Sequence, residues 1–148
     1  MPFHFSLQPI LKLRKSYERL ERLRLLGIVA MIVKLRDEAA ALEKESGDAR
    51  RRLQQTLCTG LAGVEIHLEV ACEKLRADRR RALEARLAEL AQKHEKQRLI
   101  YLAARQKREI LENLRDRKWE DYRREQNRRE QQQVDEMHLL HRAGVKLE

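Results

Sequence analysis

At 148 residues, with 39% charged side chains and 4% aromatics, this chain is at most one ordinary domain and is poorly supplied for a compact core. Two prolines and five glycines leave few breaks, and a composition led by Ala, Glu, Lys, Leu, Arg and Gln is that of long helices with a single apolar stripe. The formal net charge of +9 suits nucleic acid, an anionic membrane surface or an acidic protein partner, but 24 acids are interleaved with the 33 basic residues, so no long basic block forms.

Residues 1–8 read as a short extended lead. Pro9 is acceptable near a helix start, where its missing N–H costs nothing, and Ser6 is a plausible cap. From there Ile10, Leu13, Tyr17 and Leu20 are spaced by three, four and three, a coiled-coil seam. A second run continues through Ile28, Ile32, Leu35, Ala39, Leu42, Ser46, Ala49 and Leu53. Leu20 to Ile28 is one residue more than a heptad, so the seam is expected to slip there, close to Gly27. The nine residues Leu25–Val33 are apolar all round. That is far short of the ~20 a membrane helix needs, and the run reads as a place where the helix contacts something on a second face, or as a locally wider core.

Thr56 to Gly63 holds two glycines in four residues and is the best turn in the chain. Ser46-Gly47-Asp48 is the rival, set aside because Ala49 and Leu53 keep register through it. The second helix then follows a seam of Leu68, Cys72, Leu75 and Ala82, and from Leu83 through Leu87, Leu90, His94, Gln97, Tyr101, Ala104, Arg108 and Leu111. Polar seam residues such as His94, Gln97 and Arg108 set register or partner choice, and Arg108 can also pack its stem with its charge in water. Two helices joined by a short turn pack antiparallel. The expectation is therefore an all-α fold: a long antiparallel two-helix coiled-coil hairpin, one elongated domain over 1–148, with helices at about 9–57 and 64–142 and a turn at about 58–63. Matching the two arms leaves roughly 25 C-terminal residues overhanging at ~1.5 Å per residue. This overhang carries acid–base pairs such as Glu120–Arg124 and Glu125–Arg129. Trp119 and Tyr122 lie nearest the open end and are expected to close it over Phe3, Phe5 and Leu7.

The sequence offers no nucleophile with a base, no glycine-rich phosphate loop, no paired catalytic acids and no metal motif. No enzymatic activity and no cofactor are expected. Cys58 and Cys72 read as free thiols, and no signal-peptide pattern opens the chain, so a soluble, cytoplasmic protein is expected. What remains is binding along helix faces. A nucleic-acid binder would use Arg79, Arg80, Arg81 and the doublets Arg123–Arg124 and Arg128–Arg129 on phosphates, against which the intervening acids argue. A self-associating coiled coil, a homo-oligomer, would use Leu25–Val33.

Both ends carry a resemblance. The opening Phe5-Ser-Leu7-Gln8-Pro-Ile-Leu11-Lys-Leu-Arg14-Lys-Ser-Tyr-Glu18 is similar to the start of the flagellar export protein family FliJ, with its Phe-x-Leu, a Leu, then Arg and Glu. The close Asn127-Arg128-Arg-Glu130-Gln131-Gln-Gln-Val-Asp135-Glu136 resembles that family's Glu-Gln followed by Asp-Glu. The resemblance implies a non-enzymatic, stalk-like coiled coil of the flagellar type III export apparatus, peripheral at the cytoplasmic face of the membrane, and the related injectisome stalk proteins share the plan. It implies that the chain binds and stimulates the hexameric export ATPase FliI, links it to the export gate FlhA and assists export chaperones. On this reading Phe5, Leu7, Leu11, Arg14, Arg128, Glu130, Gln131, Asp135 and Glu136 contact the ATPase. Leu57, Leu61, Val64 and Leu68, near the turn, contact the gate or another partner.

Overall fold

The structure, a computed structural model, describes residues 3–60 and 63–144. Among these the protein is all-α: helix α1, Gln8–Leu57, packs against helix α2, Gly63–Gly144, as a helical hairpin. Among the described residues the Ser6 hydroxyl has no hydrogen-bond partner; the entry to α1 is closed instead by the Gln8 N–H donating to the Phe5 carbonyl at 3.0 Å. Pro9 then sits in the first turn, where helical N–H groups have no intrahelical partner anyway. After α1 the Thr59 N–H donates to the Thr56 carbonyl at 3.0 Å, and Gly60 takes φ +85°, a left-handed conformation that a side chain would strain. Leu61 lies outside the described residues.

The chain divides into two compact units, Arg19–Leu102 and Met1–Glu18 with Ala103–Glu148. In the first, α1 and α2 run antiparallel, because Gln97 donates to Glu21 near one end while Ser46 donates to Glu73 near the other. Between them lies a core of Leu35, Leu42, Leu83 and Leu90, with Ile32, Ala39 and Leu87 packed against it. On each side of this leucine core the seam turns polar. The nearly fully buried Ser46 hydroxyl lies 2.9 Å from both Glu73 carboxylate oxygens. Arg76 bonds Glu73 at 3.0 Å and Glu69 at 2.5 Å. The Ser46 hydroxyl first, and then Arg76, hold the Glu73 carboxyl below the usual carboxylate range.

This geometry corrects the sequence reading in two places. Between residues 11 and 28 the buried or half-buried residues of α1 are Leu11, Arg14, Glu18, Glu21, Leu25 and Ile28, the first four one position after the expected stripe, so the three–four spacing reaches Leu53 without a slip. Ile10, Leu13, Tyr17 and Leu20 are all exposed. At the start of α2, Leu68 and Leu75 are 65% and 70% exposed, and Glu69, Glu73, Arg76 and Arg80 take the inward positions. The physical reason is the same in both: a polar side chain that finds a partner across the seam can be buried at little net cost, and that frees the adjacent apolar stripe to face outward.

In the other unit, Leu11 is 0% exposed and Phe5 is nearly buried. Phe3 stands edge-on to Trp119 with ring centroids 5.1 Å apart and lies tilted against Tyr122 at 5.6 Å. Lys118 lies over the Phe5 ring, 5.8 Å from its centroid. The expected aromatic closure is therefore made at Phe3, while Phe5 is covered by Lys118. Trp119 is the single tryptophan, so Phe3→Ala should uncover it: its fluorescence emission shifts to the red and the N-terminal segment loosens by about 1 kcal/mol. An unchanged spectrum would show that Phe3 does not shield the indole.

Candidate interaction surfaces

Within the unit that joins the two chain ends, the seam is held by charge. Arg108 donates from Nε to Glu18 at 2.5 Å and from Nη1 to Glu112, and Lys15 Nζ lies 2.8 Å from the other Glu112 oxygen. The result is a four-member chain, Lys15–Glu112–Arg108–Glu18, with Glu18, Arg108 and Glu112 each largely shielded from water. Hydrogen bonding to Glu18, above all, raises the Arg108 guanidinium pKa further above its ordinary value. Lys15 first, and then Arg108, hold the Glu112 carboxyl low. Such a network fixes register, since a one-residue slip would strand every charge.

The residues expected at a partner interface separate into two groups. Phe5 and Leu11 are buried and Leu7 and Arg14 half-buried; the buried pair anchors the N-terminal segment and is not displayed. Arg128, Glu130, Gln131, Asp135 and Glu136 all stand in water, as does every described residue of α2 after Gln126. Gln131 Nε2 donates to Asp135 at 3.1 Å, and Arg129 pairs with Glu125 at 3.1 Å. Arg128, Glu130 and Glu136 hold no ion pair among the described residues. The same unit exposes Ile10, Leu13 and Tyr17 on one line of α1, a surface missed by a reading that places apolar heptads inside.

Near the turn, Leu57, Val64 and Leu68 are exposed, and Val70 and Leu75 join them along α2. Most of the arginines suited to phosphate contacts are engaged: Arg81 lies 3.8 Å from Asp78, Arg124 3.9 Å from Glu120 and from Asp121, and Arg80 3.7 Å from Glu43 and from Glu73. His94 is half-buried beside Val29, Val33 and Arg36, and among the described residues no cluster of His, Cys, Asp and Glu could hold a metal ion. No described helix is long and apolar enough to cross a membrane.

Comparison with curated proteins and with solved structures returned no match. A family model does match: the one described as flagellar FliJ protein aligns with residues 3–144, so it takes in both end motifs, the four-charge seam and the leucine core. The chain belongs to the FliJ family and, with it, to the flagellar type III export apparatus.

Proposed function

We propose that this protein is the stalk of the export machinery, engaging the export ATPase ring through its two chain ends and the export gate through the face near its turn. The observation that carries this reading is the tail of α2. Residues 127–144 remain helical with every side chain exposed, although an isolated helix of that length is marginal in water. The Glu125–Arg129 pair and the Gln131–Asp135 hydrogen bond, each spanning one turn, help sustain it by a few tenths of a kcal/mol apiece. A helix kept formed without internal burial is preorganised to enter a ring, because the ordering cost is met before binding. Its free Arg128, Glu130 and Glu136 offer both signs of charge to the ring's inner wall. Phe5 and Leu11 support the contact from within, fixing the N-terminal segment against α2, while Ile10, Leu13 and Tyr17 add an apolar face.

The stalk stimulates ATP hydrolysis by the FliI hexamer and passes the ring's state to the gate protein FlhA through Leu57, Val64 and Leu68; export chaperones use the same exposed helix faces. The test is charge reversal at Arg128, Asp135 and Glu136 together. Stimulation of the purified export ATPase should disappear while helicity and melting temperature hold, since none of the three side chains is buried. Full stimulation and ring binding by this variant would remove the tail from the contact.

A further inference from the structure

Helix α1 carries a second apolar seam, on a face that the proposed function does not use. Leu23, Leu26, Ala30 and Val33 follow one another at three, four and three residues, the spacing that keeps side chains on one line of a helix. All four are exposed; Leu26 is 53% exposed. The seam toward α2 uses Leu25, Ile28, Ile32 and Leu35; Leu23, Leu26 and Ala30 lie on the opposite side of the helix, and Val33, at the end of the line, flanks α2 beside Ala91 and His94. Gly27 lies beside it, and nothing stands within 4 Å of the place a Cβ would occupy. Glycine is less favourable than alanine inside a helix, and no internal contact accounts for it here. Together with Ala30 it lowers the surface locally, which lets a second backbone come close.

The charges beside the seam are basic up to Asp37, which ends it. Arg19, Arg22, Lys34 and Arg36 are exposed, and none has an ion pair or side-chain hydrogen bond among the described residues. Elsewhere on the surface, cations are commonly matched one turn away, as in Arg51–Asp48, Lys93–Glu89 and Arg98–Glu95. Between Glu21 and Asp37 there is no acid at all, and Glu21 is itself buried against Gln97.

We propose that Leu23, Leu26, Ala30 and Val33 are the docking seam for an acidic amphipathic helix of another protein, with Arg22, Lys34 and Arg36 pairing with the acids that flank its apolar stripe. A second copy of this chain is a poorer occupant: an antiparallel pairing on this seam sets Arg22 against Lys34 and Arg36, against which stands only an Arg19–Asp37 match at each end, and a parallel pairing repeats the same basic flank on both copies. A membrane surface is also a poor fit, because an interfacial helix sustains its apolar face over many turns, while this seam is bounded by Arg19 on one side and Asp37 on the other.

The test is titration of the full chain with two synthetic helical peptides of leucine heptads, one flanked by Glu and the other by Lys, and with phosphatidylcholine–phosphatidylglycerol vesicles. The Glu-flanked peptide should bind and the Lys-flanked one should not. Leu26→Glu should weaken binding about tenfold or more, and Arg22→Glu with Arg36→Glu should invert the preference. Leu75→Glu, on the separate exposed stripe of α2, should leave binding unchanged. Equal binding of both peptides, or loss through Leu75→Glu and not Leu26→Glu, would overturn the proposal. So would vesicle binding without peptide binding, or a dimer in light scattering that Leu26→Glu dissolves. Leu26 is exposed, so circular dichroism of its variant should match the parent.

Discussion

Leu42→Ala should lower the stability of the protein by about 3 kcal/mol, whereas Leu75→Ala, the same chemical change, should stay within about 0.5 kcal/mol. The difference is burial: Leu42 is 6% exposed and Leu75 70%. Leu42 packs in a core of four buried leucines, supported by Ile32, Ala39 and Leu87. A core that small has no second layer to collapse into the space left by three deleted carbons, so most of the cavity cost persists. For a chain of this size each kcal/mol is worth about 2–4 °C in Tm, and thermal melts of the two variants would separate them clearly. Equal losses would mean that Leu75 lies inward and that the register described above is wrong. Together the two variants therefore measure register as well as packing.

That register shows what the sequence disclosed and where it stopped. From Ile28 to Leu53 on α1 and from Leu83 to Leu111 on α2, every expected seam residue is buried or half-buried. In both stretches the apolar residues themselves follow the three–four spacing, so periodicity and burial agree. They part company before Ile28 and, Cys72 apart, before Leu83. There the sequence offers two stripes one residue apart, one apolar and one charged, and hydrophobicity selects the apolar one. The protein selects the charged one, because Glu18 meets Arg108, Glu21 meets Gln97, and Glu73 meets Ser46 and Arg76. A single sequence does not reveal the pairings across the seam, Glu18–Arg108, Glu21–Gln97 and Glu73–Ser46, since each joins residues 27 or more positions apart. A signal was nevertheless present: carried backward without a slip, the Ile28 register lands on Leu25, Glu21, Glu18, Arg14 and Leu11, and the Leu83 register on Arg80, Arg76, Glu73 and Glu69. Strict continuity was the better guide than local apolarity. The exposed stripes that result, Ile10–Leu13–Tyr17 and Val64–Leu68–Leu75, are what a protein working through helix faces has to offer its partners. The end motifs were legible as patterns of residue type, yet sequence alone did not divide them into the buried Phe5 and Leu11 and the exposed tail.

The polar seam makes a prediction whose size depends on pH. Arg108→Leu leaves Glu18 and Glu112 shielded from water without the cation between them, although Lys15 still reaches Glu112. Breaking a fully buried pair costs more, but these groups keep some solvent access, so a loss of about 2 kcal/mol is expected at neutral pH. In the unaltered protein the Glu112 carboxyl is held low in the folded state, by Lys15 first. A depressed carboxyl contributes stability that is present above the unfolded value of about 4.3 and is lost as pH falls through the folded value. Acid therefore weakens this unit of the parent protein. In Arg108→Leu acid does the opposite at first, because protonating a stranded carboxylate removes an unpaired charge from the seam. Lowering the pH from neutral toward 4 should narrow the gap between the two proteins. Glu18→Leu combined with Arg108→Leu removes both members and extends the leucine seam; since replacing a shielded ion pair by well-packed apolar residues is often neutral or stabilising, the double variant should match or exceed the parent in urea at neutral pH. A double variant as unstable as Arg108→Leu alone would show that the seam needs the charges for more than their mutual attraction, for instance to hold α1 and α2 in register. A single variant with parental stability and a parental acid limb would show that the guanidinium is in water and that the network does not form.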